Sequence, residues 1–178
     1  DYTDELIIPG FIDQHLHGWA TGKYTDKNTK ENLRKMQETL PYAGVTSFLA
    51  TSGAWDLEDL KNTIRNTCEH IDEDENIGAE VLGIHLEGPF VNEKRAGMMN
   101  VPGFKKPSVS IMQSLLEAQT RPGLIKLMTM APELENAKSL IKYSHENGVQ
   151  LNIGHSDASF EVIKELKELG LGGVTHMF

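Results

Sequence analysis

The sequence has little positive charge and no long apolar run. Its 178 residues include 17 Lys and Arg against 26 Asp and Glu, a formal net charge of −9. A protein that grips nucleic-acid phosphates needs a basic face, and no basic run here exceeds two residues, so we expect no nucleic-acid partner. No window approaches the roughly 18 uninterrupted apolar residues of a membrane span, so we expect no membrane insertion.

Cysteine is also scarce. Cys68 is the single one, and it can form no internal disulfide. The first residues lack the basic and apolar stretches of a signal peptide, so we expect a protein of the reducing cytoplasm. A content of 39% hydrophobic and 24% charged residues is ordinary for a globular domain and excludes a disordered tail or a fibrous repeat.

Short apolar runs alternate with longer amphipathic stretches along the chain. This alternation predicts repeated βα units and a parallel sheet, and the apolar runs predict strands buried on both faces. The predicted strands are residues 10–17, 46–51, 80–87, 125–130, 150–155 and 173–178. The predicted helices are residues 31–42, 57–71, 108–119, 135–147 and 160–169.

The strand and helix count predicts the fold class. Six parallel strands with intervening helices make an α/β fold, a partial TIM (β/α)₈ barrel in one domain over residues 1–178. Two of the eight strands would be missing, so we expect a fragment of a longer protein. The longest irregular stretch, residues 88–107, follows the third strand, and a loop of that length is expected to contact a substrate.

Histidines and one glutamate stand at the ends of these predicted strands. His15 and His17 are two residues apart on the first strand, so their side chains leave the same face. Glu87 ends the third strand, His155 ends the fifth and His176 nearly ends the sixth. The carboxyl ends of parallel strands meet at one rim, where such folds place their active sites. Imidazole and carboxylate suit Zn²⁺ and Fe²⁺, so the pattern predicts a metal site.

Alternative interpretations of these residues exist. The same side chains could be buried polar groups satisfied by hydrogen bonds, although an apolar core gains little from gathering so many ionisable residues at one rim. His85 shares a face with Glu87 and is either a support for a ligand or a satisfied core histidine. Asp13 lies on the face of His15 and His17 and is expected to support them.

The sequence around these residues resembles a known family. Residues 9–18, Pro-Gly-Phe-Ile-Asp-Gln-His-Leu-His-Gly, are similar to the first-strand signature of the amidohydrolase superfamily, metal-dependent hydrolases built on a (β/α)₈ barrel. Three further segments narrow the resemblance to the N-acetylglucosamine-6-phosphate deacetylases. They are His-Leu-Glu-Gly-Pro-Phe at 85–90, Gly-His-Ser-Asp-Ala at 154–158 and Val-Thr-His-Met-Phe at 174–178. The resemblance runs over essentially the whole chain.

The resemblance implies a set of metal ligands. It makes Glu87, His155 and His176 the ligands of the principal metal. Members of the family differ at the His-x-His pair, and a second metal is permitted where both histidines are present, as His15 and His17 are here. We therefore expect one or two divalent metal ions per subunit, Zn²⁺ or Fe²⁺.

The resemblance also implies a reaction. The family hydrolyses N-acetylglucosamine 6-phosphate to glucosamine 6-phosphate and acetate. In the family, the catalytic aspartate that moves the proton ends the eighth barrel strand, so it is expected beyond Phe178. Most residues that bind the sugar phosphate are also expected there, and some of them are expected to come from a second subunit of a homodimer. A competing superfamily arrangement has a carboxylated lysine at the end of the fourth strand, but Lys126 lies four residues before Met130, inside that strand.

One loop departs from the family pattern. Residues 95–100 are Arg-Ala-Gly-Met-Met-Asn, where the family often has a Lys-Gly-Ala-His-Asn-like stretch that touches the sugar. We expect Met98 and Met99 at the substrate, and Met99, in place of the histidine, cannot donate a hydrogen bond. Two alternatives therefore stay open: a deacetylase for another N-acetyl-hexosamine phosphate, such as N-acetylgalactosamine 6-phosphate, and a non-catalytic metal-binding fragment.

Overall fold

The computed structural model describes residues 3–24, 27–73 and 77–177, and its main feature is one parallel sheet. Successive strands of this sheet are neighbours. They are β1 (Phe11–Leu16), β4 (Val45–Ser52), β5 (Glu80–Glu87), β6 (Ile125–Met130), β7 (Gln150–Ile153) and β8 (Leu171–Val174). β2 (Gly18–Trp19) and β3 (Gly22–Lys23) form a separate antiparallel hairpin that the sequence did not predict. The parallel strands form a curled half-barrel, which confirms the predicted partial TIM barrel.

Five α-helices connect the strands in the described part of the chain, besides three short 3₁₀ helices. They are α1 (Thr29–Thr39), α2 (Leu57–Asp72), α3 (Val109–Leu116), α4 (Ala137–Glu146) and α5 (Phe160–Lys167). Three of them begin at a side-chain cap, because Asp56, Ser108 and Ser159 each accept a hydrogen bond from a backbone N–H in the first turn. No helix among the described residues is long and apolar enough to cross a membrane.

The apolar side chains form two clusters. The larger one lies where α2 to α5 cover the sheet and includes Ile64, Ile84, Met128, Leu140 and Leu151. The smaller one joins α1 to β4 and β5. Full burial of one such side chain contributes roughly 1.5–3 kcal/mol, so these clusters stabilise the sheet that positions the strand ends.

The strand predictions are confirmed in the middle of the sheet and fail in part at its edge. β5 and β6 have the predicted bounds, whereas the last strand is Leu171–Val174 and not residues 173–178. The reason is that Leu171 pairs with Leu151, while His176 has φ 56°, a left-handed conformation that ends the extended chain. Phe178 lies outside the described residues. His155, with φ 49°, likewise follows β7 and does not end it.

Candidate metal centre

Glu87 is the centre of a cluster of imidazoles. Its Oε1 atom lies 2.7 Å from Nε2 of His176, 3.1 Å from Nε2 of His155 and 3.3 Å from Nε2 of His15. Its Oε2 atom lies 2.9 Å from Nε2 of His17. The structure thus brings together the five side chains that the sequence singled out. They form two candidate ligand groups that share Glu87, one with His15 and His17 and one with His155 and His176.

Different structural devices aim these side chains. Glu87 ends β5 in the middle of the sheet, paired with Thr129 of β6, and is buried. His155 follows β7 and His176 follows β8, and each of these histidines has a positive φ. This conformation turns their side chains back toward Glu87. Histidine is among the residues that tolerate this conformation best. The backbone just before His155 also lies close to Thr129 of β6, because a Cβ atom at Gly154 would lie 2.4 Å from Cγ2 of that residue.

The hydrogen bonds at Nδ1 fix which atom each ring offers to Glu87. Nδ1 of His17 lies 3.0 Å from the carbonyl oxygen of Thr51, and Nδ1 of His155 lies 2.8 Å from that of Arg95. A carbonyl oxygen only accepts, so both Nδ1 atoms carry hydrogen. In the neutral ring, Nε2 then presents a lone pair toward the carboxylate of Glu87. Lone pairs at this distance repel unless a cation, either a metal ion or a proton on the ring, lies between them.

The electrostatics of the cluster favour such a cation. The hydrogen bond to Glu87 raises the pKa of His17 above its ordinary value, although burial partly opposes this. Burial alone would raise the pKa of Glu87, but hydrogen bonds from His15 and His17, together with their charges, lower it well below its usual range. Glu87 is therefore ionised and attracts positive charge.

His85 lies beside this cluster as a neutral, fully bonded ring. Its Nδ1 donates to the carbonyl oxygen of Gln14 at 2.9 Å, and its Nε2 accepts from the hydroxyl of Thr129 at 2.7 Å. Burial, and next the charge of His15, lower the pKa of His85 to about 4. Both ring nitrogens are used, so His85 braces the backbone beside His15 and offers no lone pair to a metal.

Asp13 and Lys126 lie outside the two candidate ligand groups. Oδ1 of Asp13 accepts the backbone N–H of His15 at 2.9 Å and so supports the backbone there. Lys126 is exposed at the second position of β6, at the opposite end of that strand from Met130. Its position agrees with the sequence argument against a carboxylated-lysine site.

The loop with the two methionines passes beside His155. Gly97 has φ 58°, and a Cβ atom there would lie 3.5 Å from Cε1 of His155. Met98 is fully exposed and Met99 is partly buried, with its backbone N–H donating to Ala96 at 3.0 Å. Their contact with a substrate stays a prediction.

Sequence reasoning missed the residues that hold the loop after β7. Glu133 accepts hydrogen bonds from Asn92, Ser156 and Asp157, and the carbonyl of Arg95 accepts from His155. Glu133 could have been found, since it is a carboxylate three residues after the end of β6 at the rim with the other candidates. The Arg95 carbonyl could not, because a backbone acceptor leaves no mark in the sequence.

Comparison with known proteins gives curated relatives, although no protein-family model matches the chain. N-acetylglucosamine-6-phosphate deacetylase of Bacillus subtilis is 34% identical over 98% of this chain and 44% of its own length. N-acetylgalactosamine-6-phosphate deacetylase of Escherichia coli O157:H7 is 25% identical, over 98% of this chain and 45% of its own length. The chain thus spans less than half the length of the curated relatives it matches.

A solved structure agrees with these relatives. The crystal structure of N-acetylglucosamine-6-phosphate deacetylase from Thermotoga maritima has a TM-score of 0.81 and 31% identity, over 95% of this chain and 43% of that one. The resemblance found in the sequence is therefore confirmed: over nearly its whole length this chain is similar to part of the N-acetylglucosamine-6-phosphate deacetylases.

Proposed function

We propose that this chain supplies the metal-binding part of an N-acetylglucosamine-6-phosphate deacetylase, a metal-dependent amide hydrolase. The observation that supports this most is the orientation of His17 and His155, whose Nδ1–H groups are held by carbonyl oxygens while their Nε2 atoms face the buried Glu87. That arrangement of donors suits a divalent cation, and the named relatives are deacetylases.

We assign the ligands in two sets. Glu87, His155 and His176 would hold the principal ion, and His15 and His17 would hold a second one beside the same carboxylate. We propose Zn²⁺ or Fe²⁺, which suit this mixture of imidazole and carboxylate. A bound divalent cation supplies Lewis-acid chemistry, polarising the acetyl carbonyl and lowering the pKa of water toward about 7.

The side chains of this chain perform the supporting steps. Glu87 provides the negative charge that offsets a cation in a buried position. The carbonyls of Thr51 and Arg95 hold His17 and His155 in the tautomer that exposes Nε2. His85 stays neutral, so it adds no repulsion against a cation.

Two parts of the reaction are proposed to lie outside this chain. We propose that the proton moves through an aspartate beyond Phe178, and that the sugar phosphate is bound by residues there and by a second subunit of a homodimer. General acid–base catalysis typically contributes about 10²–10⁴-fold. Residues 1–178 alone are therefore expected to release no appreciable acetate, even with metal bound.

Acetate release from N-acetylglucosamine 6-phosphate tests the proposal. We expect activity from a version extended through the two further barrel strands expected after Phe178, and none from residues 1–178. The same extended version with Glu87→Gln should be inactive, whereas Glu80→Gln, at the exposed start of the same strand, should be active. An extended protein that is folded and metal-loaded but inactive on this substrate would contradict the function.

A second substrate has a specific observation behind it. The Escherichia coli relative is named for N-acetylgalactosamine 6-phosphate, and the loop at Met98 and Met99 departs from the family pattern. The kcat/KM of the extended version on N-acetylglucosamine 6-phosphate and on N-acetylgalactosamine 6-phosphate decides between the two substrates. We propose that N-acetylglucosamine 6-phosphate is the preferred one. If the role is non-catalytic metal binding, both residues 1–178 and the extended version should bind metal, and neither should turn over either sugar phosphate.

A cytoplasmic location is also part of the proposal. It is supported by the single Cys68, which is buried and free.

A further inference from the structure

His155 has a backbone conformation that its neighbours must hold in place. Its φ of 49° is in the left-handed region, which costs any residue other than glycine some energy, although histidine tolerates it better than most, so its surroundings must hold it there. The residues before it are constrained by Gly154, packed against Thr129. The residues after it need a constraint of their own.

Glu133 accepts three hydrogen bonds, two of them from the residues that directly follow His155 and one from Asn92 in the loop after β5. Its Oε1 accepts from the backbone N–H of Asp157 at 2.7 Å and from Nδ2 of Asn92 at 2.7 Å. Its Oε2 accepts from the hydroxyl of Ser156 at 2.7 Å. Ser156 and Asp157 directly follow His155, so one carboxylate fixes the chain that leaves the histidine.

The loop after β5 closes the same network from the other side. The backbone N–H of Asn92 donates to the carbonyl oxygen of His155 at 2.9 Å. The carbonyl oxygen of Arg95 accepts a hydrogen bond from Nδ1 of His155. The Arg95 guanidinium donates a hydrogen bond from Nε to Oδ1 of Asp157 at 3.0 Å. Asn92 therefore links Glu133 to the backbone of His155, and the two loops hold the ring between them.

We propose that Glu133 is a positioning residue that sets the orientation of His155 toward Glu87. Glu133 does not belong to either candidate ligand group, and its effect passes through Asn92, Ser156 and Asp157. The inference rests on the proposed metal centre and names a residue that tunes its affinity. Partners one layer outside metal ligands typically change metal affinity by about 10–100-fold when removed.

The chemistry of the three donors predicts a graded series of variants. Glu133→Ala removes every acceptor and should weaken zinc binding at least about tenfold. Glu133→Gln should restore most of it, because the amide oxygen can accept from Asn92 and Asp157 while the amide N–H donates to the Ser156 hydroxyl. Glu135→Ala is the matched control, since Glu135 is exposed in the same loop and pairs only loosely with Lys106, at 3.7 Å.

The experiment measures zinc affinity of the 178-residue chain by competition with a chelator, together with the visible absorption spectrum of the Co²⁺-loaded chain and the thermal midpoint. We expect Glu133→Ala to lower affinity and alter the spectrum, and Glu135→Ala to change neither. If Glu133→Ala lowers the thermal midpoint but binds zinc like the parent, its role is structural and the inference is wrong. If that variant does not fold, Ser156→Ala decides: a weaker loss in the same direction supports the inference, and unchanged affinity overturns it.

The Glu87→Gln variant separates this inference from the proposed function. A parent that binds no zinc, or a Glu87→Gln variant that binds as the parent does, overturns the metal centre and the role of Glu133 with it. A different outcome overturns only the role of Glu133. In that outcome the parent binds zinc, the Glu87→Gln variant does not, and a folded Glu133→Ala variant binds zinc with unchanged affinity.

Discussion

The middle and the edges of the sheet contribute to the candidate metal centre in different ways. β5 is buried from Gly83 to its end, and the side chain of Glu87 is only 4% exposed. β1 and β8, which each pair with a single neighbour among the described residues, are largely exposed. His17 after β1 is 48% exposed and His176 after β8 is 54% exposed. The carboxylate is thus fixed by packing, and the edge histidines are fixed by a few hydrogen bonds.

This contrast separates two properties of the centre. The position of the negative charge depends on a core that tolerates little change, because close-packed interiors transmit even small volume changes. In the proposed centre, the number of ions bound would depend on edge residues that few contacts restrain. Substitutions in the two regions should therefore have different signatures.

The largest effect is expected at Glu87. Glu87→Gln keeps the shape but removes the charge that both candidate ligand groups share, so residues 1–178 should lose zinc from both positions. Elemental analysis of the purified chain measures this. Glu80→Gln, at the exposed start of the same strand, should keep the zinc content of the parent. Full zinc content in a folded Glu87→Gln variant would contradict the ligand assignment.

A smaller effect is expected at the edge. Replacing His15 and His17 together with Asn should lower the metal stoichiometry while the position built on Glu87, His155 and His176 keeps its ion. Titration with Zn²⁺ followed by dialysis gives the stoichiometry. His145→Asn, on the exposed side of α4, is the control and should change nothing. Equal stoichiometry in the double variant and the parent would show that the edge pair binds no metal.

Stability should show the same contrast. Ile84→Ala in β5 opens a cavity at a fully buried position and should lower the free energy of unfolding by about 2–5 kcal/mol. Ile12→Ala in β1, where the side chain is 59% exposed, should cost about 0.5 kcal/mol or less. Chemical denaturation of the three proteins measures both changes. Similar losses at the two positions would mean that β1 is covered in solution.

The sequence predicts the middle of the sheet better than its edges for a physical reason. The continuous apolar runs of β5 and β6 come from burial on both faces, so their bounds can be found in the sequence. β8 contains Gly172 and Gly173, where an added Cβ atom would lie 2.0 Å from Nε2 of Gln150 and 2.3 Å from Oδ1 of Asn152, so those two side chains would have to move. Glycine has a weak strand preference, so these residues obscured the start of β8, and the predicted strand began at residue 173 instead of 171.

The candidate site divides in the same way. Glu87 and the histidines could be predicted because side chains at strand ends follow from the strand pattern. The acceptors at Thr51 and Arg95 could not, since any residue has a carbonyl group and only the fold places it. The hairpin of β2 and β3 was missed because its strands have two residues each and depend on distant contacts.

A final, small effect tests those distant contacts at Tyr24, a buried residue in the largely exposed region that follows β1. Its hydroxyl donates to Oγ1 of Thr67 in α2 at 2.7 Å, and its backbone N–H donates to the carbonyl of His17 at 2.9 Å. Tyr24→Phe removes only the first bond and should lower the free energy of unfolding by about 0.5–1.5 kcal/mol, with zinc stoichiometry unchanged. Tyr42→Phe, at a 92% exposed ring, is the matched control and should have no effect. If denaturation shows the two variants to be equally stable, the hydrogen bond of the Tyr24 hydroxyl does not stabilise the hairpin.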